Sequence, residues 1–328
     1  MLRVSGSLQP LDYPRITPND SRDLIYSVLT QDQRQRLETD WELDFSYSVP
    51  GRARFRVNAY FQRNSLGAAF RLIPIDIKSV EDLGLPKILH ELAAKPRGFV
   101  LVTGPTGSGK STTLAAMVDE VNRTRADHIM TIEDPIEFLH RHQSCLVNQR
   151  EVGTDTKSFN RALKSVLRQD PDIILVGELR DLETIQTALT AAETGHLVFA
   201  TLHTQDALQT IDRLIDVFPP HQQEQIRVQI AATIQGIVTQ QLLPTRDGRG
   251  RCVACEVLVP TPAVRNLIRE GKTHQIYTVM QTGSRHGMQT MDASLADLVR
   301  RSLITKELAE QRSSNPEDLN RLLRTGVA

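Results

Sequence analysis

Gly104-Pro105-Thr106-Gly107-Ser108-Gly109-Lys110-Ser111-Thr112 sets the architecture of this chain. The run follows the apolar residues Gly98-Phe99-Val100-Leu101-Val102 and precedes TTLAAMVDEV (112–121), so it sits between a predicted strand and a predicted helix. The pattern G-x-x-x-x-G-K-[ST] needs small residues so that backbone N–H groups can wrap phosphates. Lys110 then reaches the outer phosphates, and Ser111 offers a hydroxyl to Mg²⁺. A glycine-rich turn that binds nothing would have no need of the strand before it and the helix after it. A nucleoside triphosphate is the expected ligand.

Outward from that loop the chain alternates between strand and helix. The spacing predicts strands over 99–103, 127–132, 172–177 and 196–201, with helices over 110–122, 157–168, 181–193 and 206–216. The strand segments DIILVG and HLVFAT are nearly continuous apolar runs, as in a parallel sheet covered by helices on both faces. This is a P-loop α/β core. A long helix is expected from Pro219 to Gln241, then a strand, then helices over 261–270, 272–281 and 291–310, with a polar, frayed tail from Ser313.

Upstream, residues 1–75 read as a small α+β domain. LRVSGSLQPL alternates around a turn at Ser5-Gly6-Ser7, and Pro18 to Glu38 reads as a helix with Leu24, Ile25 and Val28 as its stripe. LDFSYSV, ARFRVNAYFQR and GAAFRLI follow as three strands separated by turns at Pro50-Gly51 and Asn64-Ser65. The linker is placed at Pro74 to Leu85, with 76–85 as its body and 86–328 as the ATPase domain, which opens on a short helix over Pro86–Ala94.

A length of 328 residues fits two domains, and 40% apolar with 24% charged residues is ordinary globular composition. Thirty-nine basic and 39 acidic residues cancel, which argues against indiscriminate binding to nucleic acid or a membrane surface. MLRVSGSLQPLDYP has no signal-peptide pattern, and no stretch approaches eighteen apolar residues, so membrane association is expected through partners. Cys145, Cys252 and Cys255 form no disulfide framework and fit a reducing cytoplasm. Cys252-Val-Ala-Cys255 has zinc-knuckle spacing but no second pair, and it lies in a strand-like run.

Hydrolysis of a triphosphate needs one carboxylate near Mg²⁺ and another that orients or deprotonates water. Glu178, after the apolar run 172–177, emerges where a Walker B carboxylate belongs; Gly177 stands where many such proteins carry an aspartate. TIEDPIE (131–137) offers Glu133, Asp134 and Glu137 at another strand end. The two glutamates are not ranked: Glu178 has the better topological position, Glu133 the less crowded surroundings expected of a base. His203 and His196 flank the strand HLVFAT, either as phosphate-sensing imidazoles or as packed core histidines. Arg52, Arg54, Arg56, Arg63 and Arg71, interleaved with Phe55, Tyr60 and Phe61, suit nucleic acid, a neighbouring subunit's phosphate, or a solvated sheet face.

The set of motifs resembles the type IV pilus retraction ATPase family, within the secretion ATPase superfamily, over essentially the whole chain. The carriers are the Walker A box GPTGSGKSTT, the Asp box TIEDPIE, the Walker B box ILVGELRD (174–181) and the His box GHLVFATLHT (195–204). AVRNLIREGKTHQI (263–276) resembles the family's retraction motif and GMQTMDASL (287–295) its companion, while the four-cysteine insertion usual in assembly ATPases is absent. The resemblance implies a PAS-like N-terminal domain joined by a flexible linker to a RecA-like domain, assembled as a ring hexamer with ATP between the domains. It implies that Arg56 and Arg71 complete the pocket, with Arg63 a weaker candidate. It further implies catalytic roles for Glu133 and Glu178, and ligand-side or relay roles for His196 and His203.

On that reading the protein is a Mg²⁺-dependent ATPase. Gly104 to Thr112 and His196 hold nucleotide, Ser111 and Glu178 serve the metal, and Lys110, Glu133, Glu178, Arg56, Arg71 and His203 take part in catalysis. It drives pilus retraction, and so twitching motility, at the cytoplasmic face of the inner membrane at the pilus base, against a membrane platform protein. A pilus-assembly or type II secretion ATPase is the nearest alternative; a DNA-translocating motor and a slow ATP-binding scaffold are more distant. No specific nucleic acid is expected. Family members begin with a helix and strand before the segment matching MLRVSG, so the N-terminal domain reads as truncated. The linker, with Pro74 and Gly84 at its ends, is the expected hinge. The helix carrying Val264, Leu267 and Ile268 is the expected surface for transmitting motion.

Overall fold

Alternation of period two from Glu42 to Ile73 and apolar strands separated by helices after Gly98 generate two different sheets. The computed structural model describes residues 1–4, 7–73 and 76–325, in two units, Met1–Ile75 and Asp76–Ala328.

In the first unit, β1 (Leu2–Val4) and β2 (Ser7–Gln9) pair antiparallel; Ser5 and Gly6 of the expected turn lie outside the described residues. Helices α1 (Pro18–Ser27) and α2 (Gln31–Asp40) replace the single helix expected over Pro18 to Glu38. The break has a local cause. Thr30 and Gln33 form a capping box that starts a new helix N-terminus. Leu24 is exposed, while Ile25 and Leu37 pack with Leu43, Phe45, Val57 and Ala59 beneath a three-stranded antiparallel sheet. Its strands are β3 (Glu42–Val49), β4 (Ala53–Gln62) and β5 (Ser65–Ile73).

The second unit opens with α3 (Ile88–Ala93), β6 (Gly98–Thr103), α4 (Lys110–Thr124), β7 (His128–Glu133) and β8 (Leu146–Glu151). It continues with α5 (Phe159–Val166), β9 (Ile173–Val176), α6 (Leu182–Glu193), β10 (Leu197–Leu202), α7 (Ala207–Asp216) and α8 (Pro220–Thr233). β11 (Ile234–Pro244), β12 (Arg251–Leu258), α9 (Pro262–Arg269), α10 (Ile276–Thr282), α11 (Met291–Arg300), α12 (Lys306–Arg312) and α13 (Pro316–Thr325) complete it. The seven-stranded sheet has the order β12-β11-β6-β10-β9-β7-β8, parallel except for β12. Every residue of β6 is buried. Phe99 and Leu101 face one hydrophobic core and Val100 and Val102 the other, so helices cover both sheet faces. The loop after β6 therefore opens at the carboxyl edge, where α/β sheets bind ligands.

The structure corrects several expectations. The helix read from Pro219 to Gln241 ends at Thr233, and Ile234–Pro244 pairs with β6 and β12. Ile226, Ile230, Ile234 and Val238 recur every four residues, which imitates a helix across a real boundary. The helix over 291–310 is two helices, parted at Ser302 with φ 57° and restarted by the Thr305 cap. The tail from Ser313 contains α13, whose Leu319 is fully buried against α11 and α12 residues. Strand β8 was not expected at all. The supposed linker body, 76–85, is packed chain: Val80 and Leu85 lie in the core with Leu89 and Leu92, and Gly84 sits in a hydrogen-bonded turn. Pro74 lies outside the described residues.

Candidate nucleotide site

The loop between β6 and α4 is shaped by backbone angles that favour glycine. Gly104 has φ 135°, and a Cβ there would lie 2.4 Å from the carbonyl oxygen of Gln240. Only glycine lets the loop turn against β11. Gly109, with φ 93°, caps α4 without any side-chain hydrogen bond, whereas Asp181 and Asp206 cap α6 and α7. The first-turn N–H groups of α4 are thus left for an anion, with the helix dipole behind them. Pro105, Thr106 and Gly107 are exposed, Ser111 and Thr112 half-buried. The Ser108 hydroxyl is buried with no partner among the described residues. An orphan hydroxyl, uncapped amides and a lysine fit a phosphate chain.

Lys110 is buried and folded over its own loop, donating to the carbonyls of Gly104 at 2.8 Å and Pro105 at 3.1 Å. Burial lowers its pKa, against the opposing pull of Glu178 and Glu137. Its Nζ is 3.5 Å from His203 Nδ1, and His203 Nε2 is 3.2 Å from Glu178 Oε1. Arg180 Nε donates to Glu178 Oε2 at 2.8 Å, and its Nη1 is 4.0 Å from Asp134 Oδ2. Lys110, His203, Glu178, Arg180 and Asp134 therefore form a continuous polar chain. It joins residues that follow β6, β10, β9 and β7, which the strand order brings to one edge.

Glu133 closes β7 beside this chain. Its Oε1 accepts from Thr131 Oγ1 at 2.7 Å and Gln149 Nε2 at 3.2 Å, and its Oε2 from the Glu137 amide at 3.3 Å. The less crowded surroundings expected for Glu133 are not found: it is the more enclosed carboxylate. Burial raises its pKa against these hydrogen bonds. It lines a cleft with Ser111, Phe138, His140, Gly177 and Thr201. Gly177 explains the single Walker B carboxylate. A Cβ there would lie 3.2 Å from Ile132 O and 3.3 Å from Glu133 Cα, so an aspartate would crowd the backbone at Glu133 by a few tenths of an ångström. No cluster of three or more acidic, histidine or cysteine side chains suited to a metal occurs among the described residues. Mg²⁺ in triphosphate sites needs only one or two protein oxygens beside phosphates and waters, and Ser111 with these glutamates fits that donor set.

His196 is not brought to this edge. It precedes β10 at the amino end of the sheet, where its Nδ1 is 3.0 Å from Ala191 O and its carbonyl accepts from Gly98 N. It is a half-buried histidine at the edge of the sheet opposite His203. In the first unit Arg56 and Arg71 are directly paired across β4 and β5, on one sheet face. Sequence reasoning missed Gln149 because β8 was unseen. It also missed Arg180, two residues beyond Glu178 in a motif already in view, and His140, which carries no motif.

Comparison with known proteins covers nearly the whole chain. Residues 71–312 match the type II/IV secretion system protein family. The chain is 52% identical to the type IV pilus retraction ATPase PilT of Pseudomonas aeruginosa, over 97% of this chain and 92% of that one. It is 51% identical to a twitching motility protein of Neisseria gonorrhoeae, over 98% and 86% respectively. The crystal structure of the pilus retraction motor PilT with bound ADP superposes with a TM-score of 0.91, at 52% identity over 97% of this chain and 91% of that chain.

Proposed function

Because this chain belongs to the type II/IV secretion system protein family, we propose that it is a Mg²⁺-dependent ATPase whose turnover drives type IV pilus retraction. The chemistry rests on one observation above the rest: the polar chain from Lys110 through His203, Glu178 and Arg180 to Asp134, with Glu133 beside it. The biological role rests on near full-length similarity to a retraction ATPase and a twitching motility protein.

In this reading Lys110 leaves the Gly104 and Pro105 carbonyls for the outer phosphates, and the α4 amides hold the inner ones. Bound Mg²⁺ would offset the negative charge of the phosphates. Ser111 supplies a ligand, and Glu178, fixed between Arg180 and His203, holds the metal's water shell. Glu133 is the base that polarises the attacking water, because it lines the cleft beside Ser111 with its carboxylate held by Thr131, Gln149 and the Glu137 amide. His203, touching both Lys110 and Glu178, registers loss of the terminal phosphate.

The assembly is a ring hexamer, in which Arg56 and Arg71 of one copy approach a phosphate and release it after hydrolysis. Their pairing supports this role, since two guanidinium-bearing side chains on one sheet face can reach the same phosphate. Movement follows from the change in that attraction. Among the described residues no helix is long and apolar enough to cross a membrane, so contact with the cytoplasmic face of the inner membrane runs through a platform protein at the pilus base.

The test pairs chemistry with cells. Purified chain should release phosphate from ATP only with Mg²⁺, and Lys110→Ala should abolish it. Cells carrying the Lys110→Ala chain alone should extend pili but not withdraw them. Normal withdrawal with an inactive chain would refute the motor reading; lost extension would point to assembly instead.

A further inference from the structure

Gln240 is a buried amide where a core strand would ordinarily carry an apolar side chain. It lies on β11, on the same sheet face as Val238, which shares a hydrophobic core with Leu114, Met117 and Val118 of α4. Burying an amide among such residues is unfavourable unless its polar atoms are satisfied, and this one is satisfied on one side alone. Its Nε2 donates to Thr113 Oγ1 at 2.8 Å and lies 4.0 Å from the Cys255 sulfur, a weak acceptor. Its Oε1 is buried with no partner among the described residues. A leucine or methionine would fill the same space without an orphaned oxygen, so the bond to Thr113 is what the amide adds.

That bond reaches the first turn of α4. Thr113 is buried and follows Lys110 and Ser111 within one helical turn, its amide bonded to Gly109 O at 3.0 Å. The same strand bears on the other end of the loop. A Cβ on Gly104 would lie 2.4 Å from Gln240 O, and the hydroxyls of Thr103 and Thr239, both fully buried, share a hydrogen bond at 2.8 Å. β11 therefore meets the loop at its entry through Thr239 and the Gln240 carbonyl, and at its exit through the Gln240 side chain. A site keeps its geometry when its groups are held by buried bonds to rigid elements of this kind.

We infer that Gln240 is a positioning residue of the nucleotide site, whose side chain, through Thr113, fixes the first turn of α4 and with it Lys110 and Ser111. The inference rests on the nucleotide reading of Gly104–Ser111 given above. Gln240 touches no reacting atom; it sets where the groups that do are found. Lys110, Ser111 and the uncapped amides share one turn, so a shift of that turn moves all of them together against the phosphates.

The experiment compares four variants. Gln240→Met keeps the volume without the amide, Thr113→Val keeps the shape without the hydroxyl, a third chain carries both changes, and Thr113→Ser keeps the hydroxyl. Steady-state kcat and KM for Mg²⁺-ATP, affinity for a fluorescent ADP analogue, and the thermal midpoint without nucleotide are measured on the full chain. Gln240→Met and Thr113→Val should each lower kcat/KM about tenfold, with weaker binding of the ADP analogue, as small displacements of site groups do. The double variant should lose no more than either single one, because both changes remove the same bond. Thr113→Ser should stay near the parent. The midpoint of the double variant should match or exceed the parent's, since both partners are replaced and the orphaned oxygen is gone. A lower midpoint with unchanged kcat/KM would make the amide a core bond and nothing more. Losses that multiply, or Thr113→Ser as impaired as Thr113→Val at equal midpoint, would likewise overturn the inference. Lys110→Ala is run alongside. If it binds the ADP analogue as the parent does, the nucleotide reading fails. If it does not bind while Gln240→Met and Thr113→Val work at the parental rate, only the role of Gln240 falls.

Discussion

Glu256 offers a sharp test of how the second unit is held together. It is a buried carboxylate on β12, 3% exposed, whose Oε1 accepts from the Ala207 amide at 2.8 Å at the start of α7, the helix that follows His203. It also accepts from the Met291 amide at the start of α11, with Asp206 and Asp292 as like-charged neighbours. Burial pushes its pKa up from 4.5 to about 7, outweighing the two amide bonds. The folded chain therefore keeps a proton that the unfolded chain gives up. Stability from this group is complete below about pH 4.5 and is lost as pH rises to about 7. The gap is worth roughly 3 kcal/mol at most. Glu256→Gln keeps a carbonyl acceptor for Ala207 and cannot ionise. In urea denaturation, the variant should gain roughly 2–3 kcal/mol relative to the parent between about pH 5 and about pH 8. A difference in stability that is the same at both pH values would refute the reasoning.

Three further outcomes are expected. Gly177→Ala places a Cβ 3.2 Å from Ile132 O and 3.3 Å from Glu133 Cα; it should cost about 1–3 kcal/mol in unfolding free energy and lower kcat more than ADP affinity. Gln149→Leu removes the donor to Glu133 and the acceptor for the His140 amide, so kcat should fall about tenfold with little change in KM in a steady-state assay. Leu267→Ala should destabilise the chain by about 1–2 kcal/mol on thermal unfolding, because the α9 stripe of Val264 and Ile268 is packed into the core with Leu267 half-buried against it. Transmission through this helix would then belong to its exposed Asn266, Arg269 and Glu270, and retraction and ATPase should decline together in Leu267→Ala.

The parts of the site that were legible in sequence are those where chemistry constrains residue type at fixed spacing. The Gly104–Ser111 loop needs glycines and a lysine in order, and the strands meeting at its edge are apolar on both faces, so Glu178 and His203 could be assigned to strand ends. The motif position of His196 says nothing about direction: six residues of β10 carry it to the opposite edge from His203. Periodicity failed where two structures share one spacing. Ile226, Ile230, Ile234 and Val238 fit a helix, yet pairing with β6 claims the last two for a strand. The shell around Glu133 was illegible for a different reason. Gln149 and His140 act through contacts made by folding, on a polar strand and a loop that no short pattern marks.

The proposed division of labour has Glu133 activate the attacking water while Glu178, held by Arg180 and His203, serves the metal side. Single-turnover hydrolysis of Mg²⁺-ATP by the Glu133→Gln chain, with nucleotide binding measured in the same preparation, tests it most directly. The account predicts ATP affinity within a few-fold of the parent and a chemical step slowed by at least about a hundredfold, the range of general-base contributions. A Glu133→Gln chain that binds ATP and hydrolyses it at the parental rate would contradict the account.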